Sequence, residues 1–160
     1  MPLPPEFPFP LDLHGLIVEG RRVPRRGIVS SPFAFISKEV GPVDVEVGFD
    51  TDFASVPRGL WNLYPPDGEY TEAAVIHDAL YWHQATAEKD GKPVTRPQAD
   101  AVFLEAMKAL GIGWLTRTIL YRAVRLGGQS AWDSNALEKS GLARTDNPPS
   151  STPPMRGFTK

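Results

Sequence analysis

Short apolar runs separated by glycine or proline occupy the chain between residues 13 and 53. In the segment 43–47, valine alternates with aspartate or glutamate, as expected of a strand with one buried face. Similar apolar runs lie at 16–18, 28–29 and 33–36, with breaks at Gly20, Gly27 and Gly41-Pro42. This pattern predicts a small N-terminal antiparallel sheet.

Beyond the turn-rich segment 59–70, apolar residues recur at spacings of three and four, which predicts helices. Three segments have this spacing, and we expect helices over Thr71 to about Ala87, Pro97 to Gly111, and Trp114 to about Leu126. Thr71 is expected to be an N-cap, and proline is favoured in a first helical turn. Strands followed by three helices predict an α+β fold.

Proline is concentrated at both ends of the chain, which holds 17 prolines. Because proline lacks a backbone donor and favours extended geometry, we predict extended tails at residues 1–12 and 136–160. The segment between them, 13–135, is predicted to be one domain. Phe7 and Phe9 favour docking of the N-terminal tail on another surface, such as a neighbouring subunit.

Composition narrows the classes of protein that fit. The chain has 160 residues, 41% of them hydrophobic, which suffices for one buried core. It has no cysteine, which excludes disulfides and thiolate metal sites, and its net charge of −2 gives no general reason to bind nucleic acid. No apolar run approaches the ~18 residues of a spanning helix, and no signal peptide is apparent, so we predict a soluble protein without a transmembrane segment.

Four arginines form a local basic cluster in the predicted sheet, and they are Arg21, Arg22, Arg25 and Arg26. They could be contact points for nucleic acid. The other interpretation is a solvated hairpin or strand edge, where charged side chains prevent edge-to-edge pairing.

Four polar residues on two predicted helices form the candidate site. His77, Asp78 and Tyr81 lie close together on the first helix, and Asp100 ends an apolar stripe on the second. If these helices pack antiparallel, Asp100 approaches His77 and fixes its tautomer, so that the other ring nitrogen can take a proton from water. In this arrangement Asp78 could bind a hard cation, and the Tyr81 hydroxyl could anchor Asp100.

The same four residues also fit a buried polar cluster without catalysis, in which each group satisfies another. A zinc site is not expected, because His14 and His83 have no ligand-like spacing to His77. Both interpretations, hydrolytic site and structural cluster, follow from the spacing.

Several motifs in order resemble an uncharacterised family of tailed-phage and prophage proteins. They include GFDTDFASVP at 48–57, HDALY at 77–81 and ADAVF at 99–103, and the resemblance covers roughly residues 25–132. It implies a phage or prophage accessory protein located in the virion or the host cytoplasm. Other virion proteins, or further copies of the chain in a homo-oligomer, are the partners it implies.

The HDALY motif with Asp100 is also similar to the helix pair of secreted phospholipases, especially the parvoviral capsid type. The separation of 23 residues between His77 and Asp100 matches that arrangement. The resemblance implies that His77 is the general base, Asp78 a calcium ligand and Asp100 the orienting carboxylate. Tyr81 is counted with this catalytic group because its hydroxyl could anchor Asp100. It further implies a phospholipase-like helical region and calcium-dependent hydrolysis of an ester or lipid during infection.

Two functions therefore remain open. The first is a virion-associated, phospholipase-like hydrolase. The second is a non-catalytic structural protein of the tail or neck, whose proline-rich tails bind neighbouring subunits.

Two further groups of residues allow alternative interpretations. The third helix carries three arginines and two aromatic residues, which are Arg117, Arg122, Arg125, Trp114 and Tyr121. This helix could face anionic lipid or another subunit. It could instead pack on the core with its arginines in water. Asp50, Asp52 and Ser55 could add oxygen ligands beside His77, whereas Asp52 could instead cap a short turn.

Overall fold

The computed structural model of the chain describes residues 6–18, 21–53, 69–84, 88–89 and 92–139. Within those ranges, only the backbone is described at 16–18, 21–25, 88–89 and 137–139. Predictions for Ser55 and for the outer parts of both tails lie outside the described residues.

The described strands pair antiparallel throughout, as the alternating pattern predicted. They are β1 (Leu13–Val18), β2 (Arg21–Val29), β3 (Phe33–Ser37), β4 (Gly41–Val45), β5 (Asp50–Thr51), β6 (Glu88–Lys89) and β7 (Lys92–Pro93). A three-stranded sheet has the order β1-β2-β5, and β3-β4 and β6-β7 form separate pairs. Gly41 enters β4 at a φ of 84°, a left-handed conformation that glycine adopts without strain.

The described residues contain four helices, so the α+β class is confirmed and the count of three is wrong. They are α1 (Thr71–His83), α2 (Arg96–Ala109), α3 (Trp114–Gly127) and α4 (Gln129–Lys139). The third helix ends at Gly127 with Gly128 as its C-cap, as predicted, and Gly128 has helical angles (φ −77°, ψ −10°). Because its carbonyl accepts from the amide of Trp132 at 3.0 Å, α4 begins directly beyond it.

The ends of α1 also differ from the prediction. Tyr70 is the N-cap, and Thr71 is the first helical residue. The helix ends at His83, because Gln84 leaves the helical region with a φ of 28°. None of the described helices is long and apolar enough to cross a membrane.

Helix α1 lies at the centre of the fold. It packs against α2 and α4 and also contacts β4 and β5. Small side chains at Ala73, Ala74 and Ala79 are almost fully buried and allow close approach of these elements. Phe7 of the predicted N-terminal tail is buried against Phe33 and Phe35 of the protein's own sheet.

Helix α2 is positioned by a capping box. Thr95 is the N-cap, its backbone amide donates to Gln98 Oε1 at 3.0 Å, and Pro97 lies in the first turn. This start places Asp100 one turn inside the helix, on the face that packs against α1.

Candidate functional site

The structure brings His77, Tyr81 and Asp100 together between α1 and α2. Nε2 of His77 lies 2.9 Å from Oδ1 of Asp100, and the Tyr81 hydroxyl donates to the same oxygen at 2.6 Å. His77 and Tyr81 are one helical turn apart, which is why both reach one carboxylate oxygen. The pairing joins residues that are 23 positions apart in the chain.

Two arginines occupy the other oxygen of Asp100. Arg125 Nη1 donates to Oδ2 at 2.7 Å, and Arg96 Nη1 donates to it at 3.3 Å. Because Arg96 and Asp100 are four residues apart on one helix, their contact could have been predicted from the sequence. No spacing rule connects Asp100 with Arg125, which lies on another helix. We call the group formed by His77, Tyr81, Arg96, Asp100 and Arg125 the Asp100 cluster.

Asp100 is ionised in this environment. Its burial on its own would raise the pKa, but hydrogen bonds from His77, Tyr81 and Arg125 outweigh burial and lower the pKa of the carboxyl below its ordinary value of 3.8. The same contact with Asp100 raises the pKa of the Arg125 guanidinium. The carboxylate is therefore a permanent negative charge at neutral pH.

The charge of Asp100 fixes which nitrogen of His77 carries a proton. An ionised carboxylate only accepts hydrogen bonds, so Nε2 of His77 must donate to it. In a neutral imidazole with a protonated Nε2, the acceptor nitrogen is Nδ1. The geometry therefore places a proton on Nε2, and only the neutral ring offers Nδ1 as an acceptor.

Tyr81 is held in its neutral form. Burial and the adjacent Asp100 carboxylate raise the pKa of the Tyr81 phenol well above its ordinary value of 10.0. Its ring centroid lies 4.2 Å from that of His77 and 5.0 Å from that of Trp132 on α4, which it meets edge-on. Tyr81 is thus a fixed donor between two aromatic neighbours, His77 and Trp132, and one carboxylate.

The cluster also ties the C-terminus of α3 to the start of α2. Arg96 Nη1 lies 3.4 Å from the carbonyl oxygen of Val124 and 3.3 Å from that of Arg125, in the last turn of α3, where a cation is favourable. Gly128 completes this contact, because a Cβ there would lie 2.5 Å from the Tyr81 hydroxyl and 2.6 Å from the Val124 carbonyl oxygen. Neither the contacts of Arg96 with the carbonyl oxygens of α3 nor the close approach at Gly128 was predicted from the sequence. Close approach leaves no periodic pattern in the sequence.

Asp78 lies beside the cluster and contacts the sheet. Its Oδ2 accepts from Thr51 Oγ1 at 2.5 Å. Of the predicted additional ligands, Asp50 forms an ion pair with Arg26, and the side chain of Asp52 is exposed. In the part of the chain that the structure describes, no three histidine, aspartate or glutamate side chains cluster to hold a metal. Calcium binding therefore stays a prediction, with Asp78 as its candidate carboxylate ligand.

His77 and Asp100, at the centre of the Asp100 cluster, are enclosed by protein, whereas Arg125 is partly exposed. The exposed fraction is 1% for His77 and 0% for Asp100. Two surface clefts of about 390 Å³ and 540 Å³ are lined by described residues, and neither is lined by a member of the cluster. Among the buried side-chain polar atoms of the described residues, none lacks a hydrogen-bond partner.

Comparison with known proteins identifies the family. The sequence profile described as "Protein of unknown function (DUF1353)" matches residues 28–124, more than half of the chain, and the chain belongs to this family. The match includes β3 to α2 and most of α3, and with them every member of the Asp100 cluster except Arg125. Searches of the curated proteins and of the solved structures gave no match.

Proposed function

We propose that this member of the DUF1353 family is a phage or prophage accessory protein, carried in the virion or acting in the host cytoplasm, that hydrolyses an ester or lipid at His77. One observation supports the proposal above all others. A single oxygen of Asp100 accepts from both His77 Nε2 and the Tyr81 hydroxyl. This arrangement orients an imidazole as a general base, and Asp78 follows it directly in the helix.

The reaction needs one proton acceptor and one water. Nδ1 of His77 takes a proton from water as the water oxygen attacks the ester carbonyl carbon. The tetrahedral intermediate then breaks its bond to the leaving oxygen, which receives the proton from His77, and the products are an acid and an alcohol. Asp100 stabilises the imidazolium in between, and Tyr81 and the two arginines hold the carboxylate in place.

Calcium enters the proposal only as a condition to be tested. The described residues offer Asp78 as a carboxylate ligand, already bonded to Thr51, so no step of the reaction is assigned to the metal. If calcium binds, Asp78→Asn should weaken that binding in calorimetry.

Hydrolysis by the purified protein tests the proposal. Phospholipid vesicles and a short-chain ester are supplied with and without calcium, and release of acid is measured. We expect His77→Gln to lower the rate by about 10²-fold or more, the range for loss of a general base. Asp133→Asn, a change at an exposed carboxylate, is the matched control and should leave the rate unchanged. Absence of hydrolysis by the wild type, or an equal rate in His77→Gln, would contradict the proposal.

A second candidate is favoured by the enclosure of the cluster. His77 and Asp100 are almost fully buried, and Asp100 accepts from four donors, which is also how a structural polar cluster holds helices together. In that case the chain is a structural tail or neck protein bound to other virion proteins or to copies of itself. Mass spectrometry of purified virions should then find many copies per particle, and absence from the particle removes this candidate.

A further inference from the structure

Helix α3 has a second apolar face, directed away from the core. Leu120 and Val124 are buried, whereas Leu115 and Leu126 on the opposite side are 55% and 88% exposed. Ile119 lies between these two leucines on the same face, at helical spacings of four and seven residues. Trp114, at the first position of the helix, is 69% exposed. Half of the six exposed large hydrophobic side chains of the described residues are therefore on one helix.

The charges of α3 are all positive. Its sequence contains three arginines and no acidic residue. Arg125 is bonded to Asp100, and Arg117 Nη1 donates to the carbonyl oxygen of Ile112 at 3.1 Å. Arg122 is exposed on the same face as Ile119 and Leu126. We call Trp114, Leu115, Ile119, Arg122 and Leu126 the α3 stripe.

We propose that the α3 stripe binds an anionic lipid surface. Exposed leucines with a tryptophan at one end suit the boundary between head groups and acyl chains, and an arginine among them pairs with lipid phosphate. The absence of acidic residues from α3 makes the stripe complementary to a negative surface rather than a neutral one. This inference rests on the proposed function and extends it. It identifies the substrate as lipid assembled in a membrane.

The position of the stripe suits this purpose. Leu126 directly follows Arg125, about 100° further around the helix, and the guanidinium of Arg125 donates to Asp100. Since a helix with its side chains is about 10 Å across, lipid bound to the stripe lies roughly that far from the Asp100 cluster.

Co-sedimentation with vesicles of ether-linked lipids tests the inference, because these lipids contain no carboxylic ester bond for the proposed reaction to cleave. One set of vesicles is phosphatidylcholine alone, and the other contains an equal amount of phosphatidylglycerol. We expect binding to the anionic vesicles, weakened at least about tenfold by Leu115→Ser or Leu126→Ser and about fivefold by Arg122→Gln. The matched controls Val47→Ser, at a residue 58% exposed on the sheet side, and Lys38→Gln should bind as the wild type does.

Three results would overturn the inference. The first is equal binding to both kinds of vesicle, and the second is binding that the stripe variants do not weaken. The third is a protein that does not bind vesicles but associates with itself, where Leu126→Ser abolishes the self-association. The third result assigns the stripe to a second copy of this chain. Because the proposed reaction cannot cleave these lipids, binding without esterase activity contradicts only the proposed function, and esterase activity without binding contradicts only this inference.

Discussion

At the scale of single residues, Asp100 organises the candidate site. Its two oxygens accept from an imidazole, a phenol and two guanidinium groups, so one buried negative charge positions four side chains from three helices. A buried charge is tolerated when it is paired and hydrogen-bonded, and removing one partner leaves the others uncompensated. Asp100 therefore affects both the stability of the protein and the orientation of His77.

Asp100→Asn should lower the free energy of unfolding by about 3 kcal/mol, the lower end of the range for losing one partner of a buried ion pair. The lower end applies because Arg125 is partly exposed and still reaches water. Urea unfolding at neutral pH measures the change. Asp133→Asn is the control and should alter the free energy of unfolding by less than about 0.5 kcal/mol. If Asp100→Asn changed the free energy of unfolding equally little, the Asp100 cluster would not stabilise the fold.

The pH dependence of this contribution has a definite sign. Because the pKa of Asp100 is lower in the folded state, the unfolded chain binds the proton first as the pH falls below 3.8. The stabilisation of the fold by ionised Asp100 is complete above pH 3.8, and it is lost as the pH falls through the lower pKa that Asp100 has in the folded protein. The stability difference between wild type and Asp100→Asn should therefore narrow in acid, and a constant difference down to the acid limit of folding would contradict the account.

At the scale of elements, the sequence predicted those features that periodic patterns encode. Apolar spacing predicted α1, α2 and α3, and alternation predicted antiparallel strands. Helix α4 was missed because Gly127-Gly128 was interpreted as a stop, although glycine also adopts helical angles where a close contact excludes a Cβ.

The partner of Asp78 shows a second limit of sequence patterns. Asp50 and Asp52 were candidates for additional oxygen ligands beside His77, yet the contact with Asp78 comes from Thr51 between them. Neighbouring side chains in a strand point to opposite faces, so Thr51 faces α1 while Asp50 pairs with Arg26. The register that decides between these faces depends on pairing with β2, which the local sequence does not specify.

Gly128→Ala tests the close approach of α3 to α1. Its new Cβ would meet the Tyr81 hydroxyl at 2.5 Å and the Val124 carbonyl oxygen at 2.6 Å, so the helix must shift. We expect a loss of about 1–3 kcal/mol in the free energy of unfolding, as for other overpacked sites. Gly127→Ala, whose Cβ meets nothing within 4 Å, should be neutral or slightly stabilising. Equal effects of the two substitutions would contradict the described contact.

At the scale of the whole molecule, α3 connects two proposed features. Arg125 of this helix belongs to the Asp100 cluster, and the face about a quarter turn away carries Leu126 and most of the α3 stripe. The fold encloses His77 almost completely, with a side-chain exposure of 1%. A hydrolase requires water and substrate to reach Nδ1 of His77 without unfolding the protein, whereas a structural cluster has no such requirement.

Reaction of the folded protein with diethyl pyrocarbonate, followed residue by residue with mass spectrometry, measures this access directly. His14, which is exposed, and His83, which is partly exposed, are internal references. The hydrolase proposal predicts that His77 reacts faster than the protein unfolds. If His14 and His83 react while His77 reacts only as fast as global unfolding allows, the Asp100 cluster is a sealed structural element and the proposed hydrolysis is contradicted.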